Sequence, residues 1–118
     1  MRLAPKTSDP NTTTMDPTIG TVFIYEIPRG HGFVWLQMEA EGAWPTAAVV
    51  TAKWSLDGAN FYAFSTSVMF TAKGGPVSPA TNPTRVAEGG FLSLTVSTVS
   101  ADTRHIVPFV NAIPLNAN

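Results

Sequence analysis

The sequence contains no cysteine among its 118 residues. Disulfide bonds, thiolate catalysis and cysteine-ligated metal sites are therefore excluded. Charged residues are also scarce, at 13% of the chain, which is roughly half the share found in an average soluble domain. A chain with so few charges has little to spread over its surface, so we expect part of that surface to be buried against other subunits.

Two further absences limit the possible partners. The 7 lysines and arginines and the 8 acidic residues give a net charge of -1 without any basic block, so nucleic-acid binding through phosphate neutralisation is not expected. No apolar run approaches the roughly 18 residues that a membrane span needs, so no membrane association is expected. Residues 1–7 lack the apolar core of a secretory signal peptide.

The pattern that is present is that of β-strands, most clearly over residues 48–64. Alternate positions of its first half are apolar, which predicts a strand with one face toward a core. Asp57-Gly58 then predicts a tight turn, and the aromatic stretch 61–64 restarts a strand. The residues expected to face the core are Ala48, Val50, Ala52, Trp54 and Leu56.

Other strands are predicted at 21–27, 33–39, 67–71, 91–97 and 103–113, and no segment shows a capped helical period. This pattern predicts an all-β fold, an antiparallel β-sandwich or jelly roll of about seven strands.

Three segments carry more specific expectations. The strand 21–27 is apolar on both parities, so it either lies centrally between layers or presents its second face to another chain. Pro108 cannot donate to a ladder, so the last strand should lie at a sheet edge or carry a bulge. Residues 72–90 are rich in glycine and proline and predict a long irregular loop.

The domain organisation is predicted as an extended N-terminal arm over residues 1–18 followed by a single β-sandwich domain over 19–118. The arm contains Pro5, Pro10 and Pro17 and few apolar side chains. It is either a disordered tail or an arm that becomes ordered on a neighbouring subunit.

Candidate catalytic and metal-binding residues are few. His31 and His105 lack any metal-ligand spacing. Glu39 and Glu41 could act as paired acids of a glycosidase, but a solvated strand end explains them more simply. Asp57 could bind calcium with loop carbonyls, although turn formation accounts for it fully. We therefore expect no enzyme activity, no cofactor and no metal.

The large aromatic residues leave two alternatives open. Trp35, Trp44 and Tyr62 could form a platform on which sugar rings stack, as in a carbohydrate-binding module. They could equally belong to the core or to a subunit interface, where large aromatic residues are common, and the low surface charge favours this second alternative.

The hairpin Lys53-Trp54-Ser55-Leu56-Asp57-Gly58-Ala59-Asn60-Phe61-Tyr62 resembles the strand, Ser-x-Asp-Gly-x-x-aromatic, strand unit of small β-sandwich virion proteins from tailed bacteriophages. A similar hairpin occurs in discoidin-like carbohydrate-binding domains. The stretch from Ala101 to Val110 resembles the strand that often follows in these proteins, although Pro108 interrupts it.

The resemblance implies a non-enzymatic structural protein of the virion, made in the host cytoplasm. It would be a capsid decoration (cement) protein on the capsid surface, or a fibre or tail component that recognises a host glycan. As a cement protein it would bind the lattice of the major capsid protein, and we expect a homo-oligomer, with a trimer favoured. The expected contact residues are the arm from Thr12 to Thr21, in particular Thr12, Thr13 and Thr14, together with Phe23, Tyr25, Trp35 and Trp44.

Overall fold

The computed structural model describes residues 1–6, 14–16, 20–40, 48–65, 68–72, 75–80, 82–99 and 106–115. These residues contain nine β-strands and no helix, so the predicted all-β class is confirmed. The strands are β1 (Val22–Glu26), β2 (His31–Ala40), β3 (Ala48–Ser55), β4 (Tyr62–Ala63), β5 (Met69–Ala72), β6 (Gly75–Val77), β7 (Thr84–Arg85), β8 (Phe91–Thr98) and β9 (Ile106–Pro114).

The strands form two antiparallel sheets. In the first sheet the order is β1-β8-β3, and β4 and β5 pair with successive parts of β3. In the second sheet β9 pairs with one side of β2, and the short strands β6 and β7 pair with β2 as well. The chain crosses between the sheets five times from β1 to β9, and the two sheets form a β-sandwich.

The core lies between the inner faces of the two sheets. Side chains alternate along each strand, so every second residue of β2 points inward, and the same holds for β8. Fully buried residues of β2 and β8 include Leu36, Met38, Leu92 and Leu94. Each such side chain contributes about 1.5–3 kcal/mol through removal from water.

The strand β1 lies at the end of its sheet, beside β8. Its apolar residues of one parity, Phe23 and Tyr25, are 2% and 1% exposed and pack inside the sandwich. The expectation that these two residues contact another subunit is therefore wrong, because their own chain already buries them. Val22, of the other parity, is 51% exposed.

The described parts of the predicted arm, residues 1–6 and 14–16, lie against the sandwich. Backbone hydrogen bonds join Leu3 N to Val110 O at 2.8 Å and Lys6 N to Ile24 O at 2.6 Å. Met15 exchanges two backbone hydrogen bonds with Ile106 and is completely buried. These contacts satisfy backbone N–H and C=O groups on the outer edges of β9 and β1 that would otherwise be unpaired.

Pro108 lies in the middle of β9, and its backbone groups face the edge of the strand that is away from β2. Residues of its parity, Ile106, Val110 and Ala112, direct their backbone groups toward the N-terminal residues and not toward β2. The missing N–H of Pro108 therefore removes no bond from the ladder with β2, where it lies opposite Met38. The predicted edge position of this proline is confirmed.

The segment 72–90 is more regular than a long loop, because it supplies β6 and β7. Between these two strands the Asn82 side chain takes the place of a strand residue. Its Oδ1 accepts a hydrogen bond from Leu36 N at 3.1 Å, and its Nδ2 donates to Leu36 O at 2.7 Å. The side-chain amide thus satisfies the backbone of β2 where the paired strand is interrupted.

Candidate functional site

The outer face of the second sheet carries five apolar side chains, interspersed with the polar side chains of Gln37, Glu39 and Asn111. Along β2 and β9 the register places Phe33 opposite Ile113, Trp35 opposite Asn111, and Gln37 opposite Phe109. The neighbours of these residues on the opposite parity, such as Leu36 and Val110, are buried in the core, so this set points outward. We call this set the apolar face; its members are Phe33, Trp35, Val107, Phe109 and Ile113.

Trp35 lies at the centre of the apolar face. It is 44% exposed, whereas the other four members are partly covered by their neighbours. The guanidinium carbon of Arg2 lies 4.2 Å from the centre of the Phe109 ring and covers one margin of the face. An antiparallel sheet that faces water usually alternates apolar inside and polar outside. This outer face departs from that pattern in part, because an apolar residue lies in every cross-strand pair from Phe33 to Glu39, beside Asn111, Gln37 or Glu39 in all but the pair of Phe33 with Ile113.

The other residues expected at an interface do not join Trp35. Phe23 and Tyr25 are buried in the core, as described above. Thr14 lies beside Met15 on the edge of β9, away from the centre of the face. Thr12, Thr13 and Trp44 lie outside the described residues.

The hairpin between β3 and β4 confirms the expected turn region, but with a longer loop. Trp54 pairs with Tyr62, and residues 56–61 connect the two strands. Gly58 has a φ of +78°, which explains the glycine at this position. The core-facing pattern holds through Ala52 and then changes, because Ser55 is buried while Leu56 is 68% exposed.

Asp57 organises this loop by accepting hydrogen bonds. Its Oδ1 accepts from the backbone N–H groups of Ala59 and Asn60, both at 2.9 Å, and from the Ser55 hydroxyl at 2.9 Å. Its Oδ2 accepts from Asn60 Nδ2 at 2.8 Å. The two backbone donors, followed by the side-chain donors, hold the pKa of this carboxyl well below its usual range. Because both oxygens face donors, the arrangement fits turn formation and not calcium binding.

A groove of about 720 Å³ opens at the end of the sandwich next to this hairpin. Its walls include Trp54 and Phe64 on one side and Arg85 and Glu88 on the other. Tyr62 lies against Trp54, with ring centres 5.2 Å apart and a 42° angle between the rings, and is 53% exposed. The predicted sugar platform is not assembled as expected, because Tyr62 lies on the first sheet and Trp35 on the second.

Of the candidate titratable residues, the structure describes His31, Glu39 and Asp57. His31 begins β2, and its Nδ1 lies 3.3 Å from Arg29 O. Glu39 is exposed on β2, while Glu41 and His105 lie outside the described residues. Within the part of the chain that the structure describes, no three metal-ligating side chains come together, and no helix is long and apolar enough to span a membrane.

The sequence interpretation missed most of the apolar face. Phe109 and Ile113 share a parity along β9, and this alternation could have placed them beside Trp35 once β2 and β9 were paired. The position of Arg2 over Phe109 had no signal, because the two residues are more than a hundred positions apart. The place of Phe64 in the groove also had no local signal, because Arg85 and Glu88, on the other side of the groove, come from β7 and the segment after it.

Comparison with known proteins adds no relative to these observations. No family model, no curated protein and no solved structure matches the chain. Any functional inference therefore rests on the fold and on the surfaces described above.

Proposed function

We propose that this chain is a non-enzymatic structural protein of a virus particle, a capsid decoration (cement) protein on the outer head surface. The observation that supports this proposal best is the apolar face centred on Trp35. A decoration protein acts by covering area on its neighbours, and an outward sheet face of aromatic and branched side chains is suited to such contacts.

The proposal includes self-association, with a trimer favoured, and binding to the lattice of the major capsid protein. The low share of charged residues supports both, since 13% is few for a surface that faces only water. The resemblance of residues 53–62 to a hairpin of tailed-phage virion proteins points in the same direction. A stable association of this kind buries at least about 1,000 Å² in total, so it would use more of the surface than Trp35 alone.

The test compares two substitutions that introduce the same charge on opposite sheets. Trp35→Glu places a carboxylate in the apolar face, whereas Thr95→Glu places one on the outer face of β8. Sedimentation and light scattering should show a wild-type oligomer, a Trp35→Glu monomer and an unchanged Thr95→Glu oligomer. The wild type and Thr95→Glu should bind expanded tailed-phage capsids, and Trp35→Glu should not. A wild-type protein that stays monomeric and does not bind such capsids would contradict the proposal.

A carbohydrate-binding module remains the second candidate, now located at the groove. The exposed Tyr62 ring packed on Trp54 offers a surface for a sugar ring, and Arg85 and Glu88 offer polar contacts beside it. Glycan-array binding that Tyr62→Ala abolishes and Trp35→Ala retains would favour this second function over the first.

A further inference from the structure

A recess of about 340 Å³ lies between the N-terminal residues and the sandwich, and its volume is near the lower end of the range of about 300–1,000 Å³ for small-molecule sites. Residues 2–5 pass over it, held by the backbone bonds of Leu3 to Val110 and of Lys6 to Ile24. The recess is lined by Arg2, Leu3, Ala4, Pro5, Tyr25 and Pro108.

Tyr25, one of the residues that line this recess, carries a buried polar group. The residue is 1% exposed, and none of the residues that the structure describes forms a hydrogen bond with its hydroxyl. Burial raises the pKa of Tyr25 far above its usual value, with a smaller opposing effect of the Arg2 charge. The hydroxyl therefore stays protonated and has a hydrogen bond to donate, and a buried donor without a partner calls for an acceptor.

Arg2 contributes a positive charge that no acidic side chain of the described residues neutralises. Its guanidinium group lies over Phe109, and no carboxylate of the described residues forms an ion pair with it. Lys6, at the other end of the same segment, differs in this respect, because its Nζ lies 3.2 Å from a carboxylate oxygen of Glu26. The recess thus combines a buried donor and apolar walls with Arg2, whose guanidinium lies over Phe109 and has no carboxylate partner among the described residues.

We propose that this recess binds a carboxylate-bearing group. The Tyr25 hydroxyl donates to a carboxylate oxygen, Arg2 supplies the opposite charge, and Leu3 and Pro108 contact the apolar part of the ligand. The carboxylate comes either from a free short-chain acid or from an acidic side chain of a bound protein. The inference does not depend on the decoration function, because a single chain forms the whole site.

Titrations of the ¹⁵N-labelled protein distinguish the two sources. The first arm uses butyrate, with the uncharged butyramide as its control. The second arm uses a blocked glycine–glutamate–glycine peptide, with the glutamine peptide as its control. We expect saturable shifts of the backbone amides of Leu3, Lys6 and Phe109 with a carboxylate, and weak or no shifts with its neutral control. Butyrate binding alone identifies a free acid, and peptide binding alone identifies a protein side chain.

Two variants test the roles of the side chains. Tyr25→Phe removes only the hydroxyl and should weaken binding by about tenfold or more, as expected for a hydrogen bond to a charged group. The same variant should be at least as heat-stable as the wild type without ligand, because it loses an unpaired polar group. Arg2→Gln should also weaken binding, while Tyr62→Phe, which removes a hydroxyl far from the recess, should not.

Three outcomes would overturn the inference. The first is the absence of saturable shifts with both carboxylates, which would leave the recess with water only. The second is equal binding of the neutral controls. The third is a loss of ligand-free heat stability in Tyr25→Phe, since that would reveal a partner for the hydroxyl within the protein.

Discussion

The outer faces of the two sheets differ in the interactions that their side chains make. On the outer face of the first sheet, Thr51, Thr95 and Ser97 form a hydroxyl-rich face, and the exposed apolar side chains of Val22 and Met69 flank it. The Thr51 and Ser97 hydroxyl oxygens lie 2.8 Å apart, and the Ser97 hydroxyl also donates to Val49 O at 3.2 Å. On the second sheet, the apolar face has Trp35 at its centre, and Arg2 covers only its margin.

This contrast indicates which surface is complete within one chain. The hydroxyl-rich face makes its own hydrogen bonds and tolerates contact with water. Aromatic and branched side chains gain free energy only when something removes them from water, at about 25 cal/mol per Å² of apolar surface. The side chains around Trp35 therefore gain free energy from a partner that Thr51, Thr95 and Ser97 do not, and experiments that treat the two groups separately can test this difference.

The largest expected effect comes from two adjacent residues of β2 that point to opposite sides. Leu36 is fully buried, whereas Trp35 is 44% exposed. Leu36→Ala should lower the free energy of unfolding by about 2–5 kcal/mol, because it removes buried surface and leaves a cavity. Trp35→Ala should cost about 1 kcal/mol or less in the dissociated chain. Urea denaturation at low protein concentration measures both.

The two variants should also differ in association. At one and the same protein concentration, Trp35→Ala should weaken self-association. Leu36→Ala, if it is folded, should associate as the wild type does. A loss of stability in Trp35→Ala as large as that in Leu36→Ala would show that Trp35 belongs to the fold of the single chain. The apolar face would then lose its central member as a docking residue.

A smaller effect is expected from the hairpin loop of the first sheet, and it depends on pH. The folded chain lowers the pKa of Asp57, so this ionisation stabilises the fold above the unfolded pKa of about 4. That contribution is lost as the pH falls from about 4 toward the lower pKa of the folded state. Asp57→Asn should therefore be less stable than the wild type at pH 7, and the difference should shrink on acidification.

Denaturation midpoints measured between pH 7 and pH 2 test this dependence. Glu39→Gln serves as the control, because it removes an exposed carboxylate from the second sheet. A constant difference between the wild type and Asp57→Asn at every pH would contradict a role for the ionised carboxylate. The loop would then depend on the shape of the side chain and not on its charge.

Much of the fold could be predicted from local patterns. The alternation of Leu92, Leu94 and Val96 places β8 correctly because their spacing matches a half-buried strand. The proline at position 108 indicates an edge because it lacks an N–H. These features depend on neighbours in the sequence, so they need no knowledge of the tertiary structure.

The failures concern contacts between distant segments. The apolar residues of β1 suggest a central strand, but Lys6 covers part of its outer edge. The composition of residues 1–18 suggests a separate arm, but Met15 is buried against β9. The segment 72–90 suggests a loop because its strands are only two and three residues long and depend on β2 for partners. No local pattern contains this information.

The smallest expected effect is on the hydroxyl-rich face, where Thr51→Val replaces a hydroxyl by a methyl group of similar size. The Ser97 hydroxyl can still donate to Val49 O, so the substitution leaves no donor unpaired. Valine also suits a strand at least as well as threonine. We expect the free energy of unfolding to change by no more than about 0.5 kcal/mol and the sedimentation of the oligomer to stay the same. A new, larger species in Thr51→Val would show that any added apolar group promotes association, and the distinction between the two faces would then lie in the amount of apolar surface and not in the arrangement around Trp35.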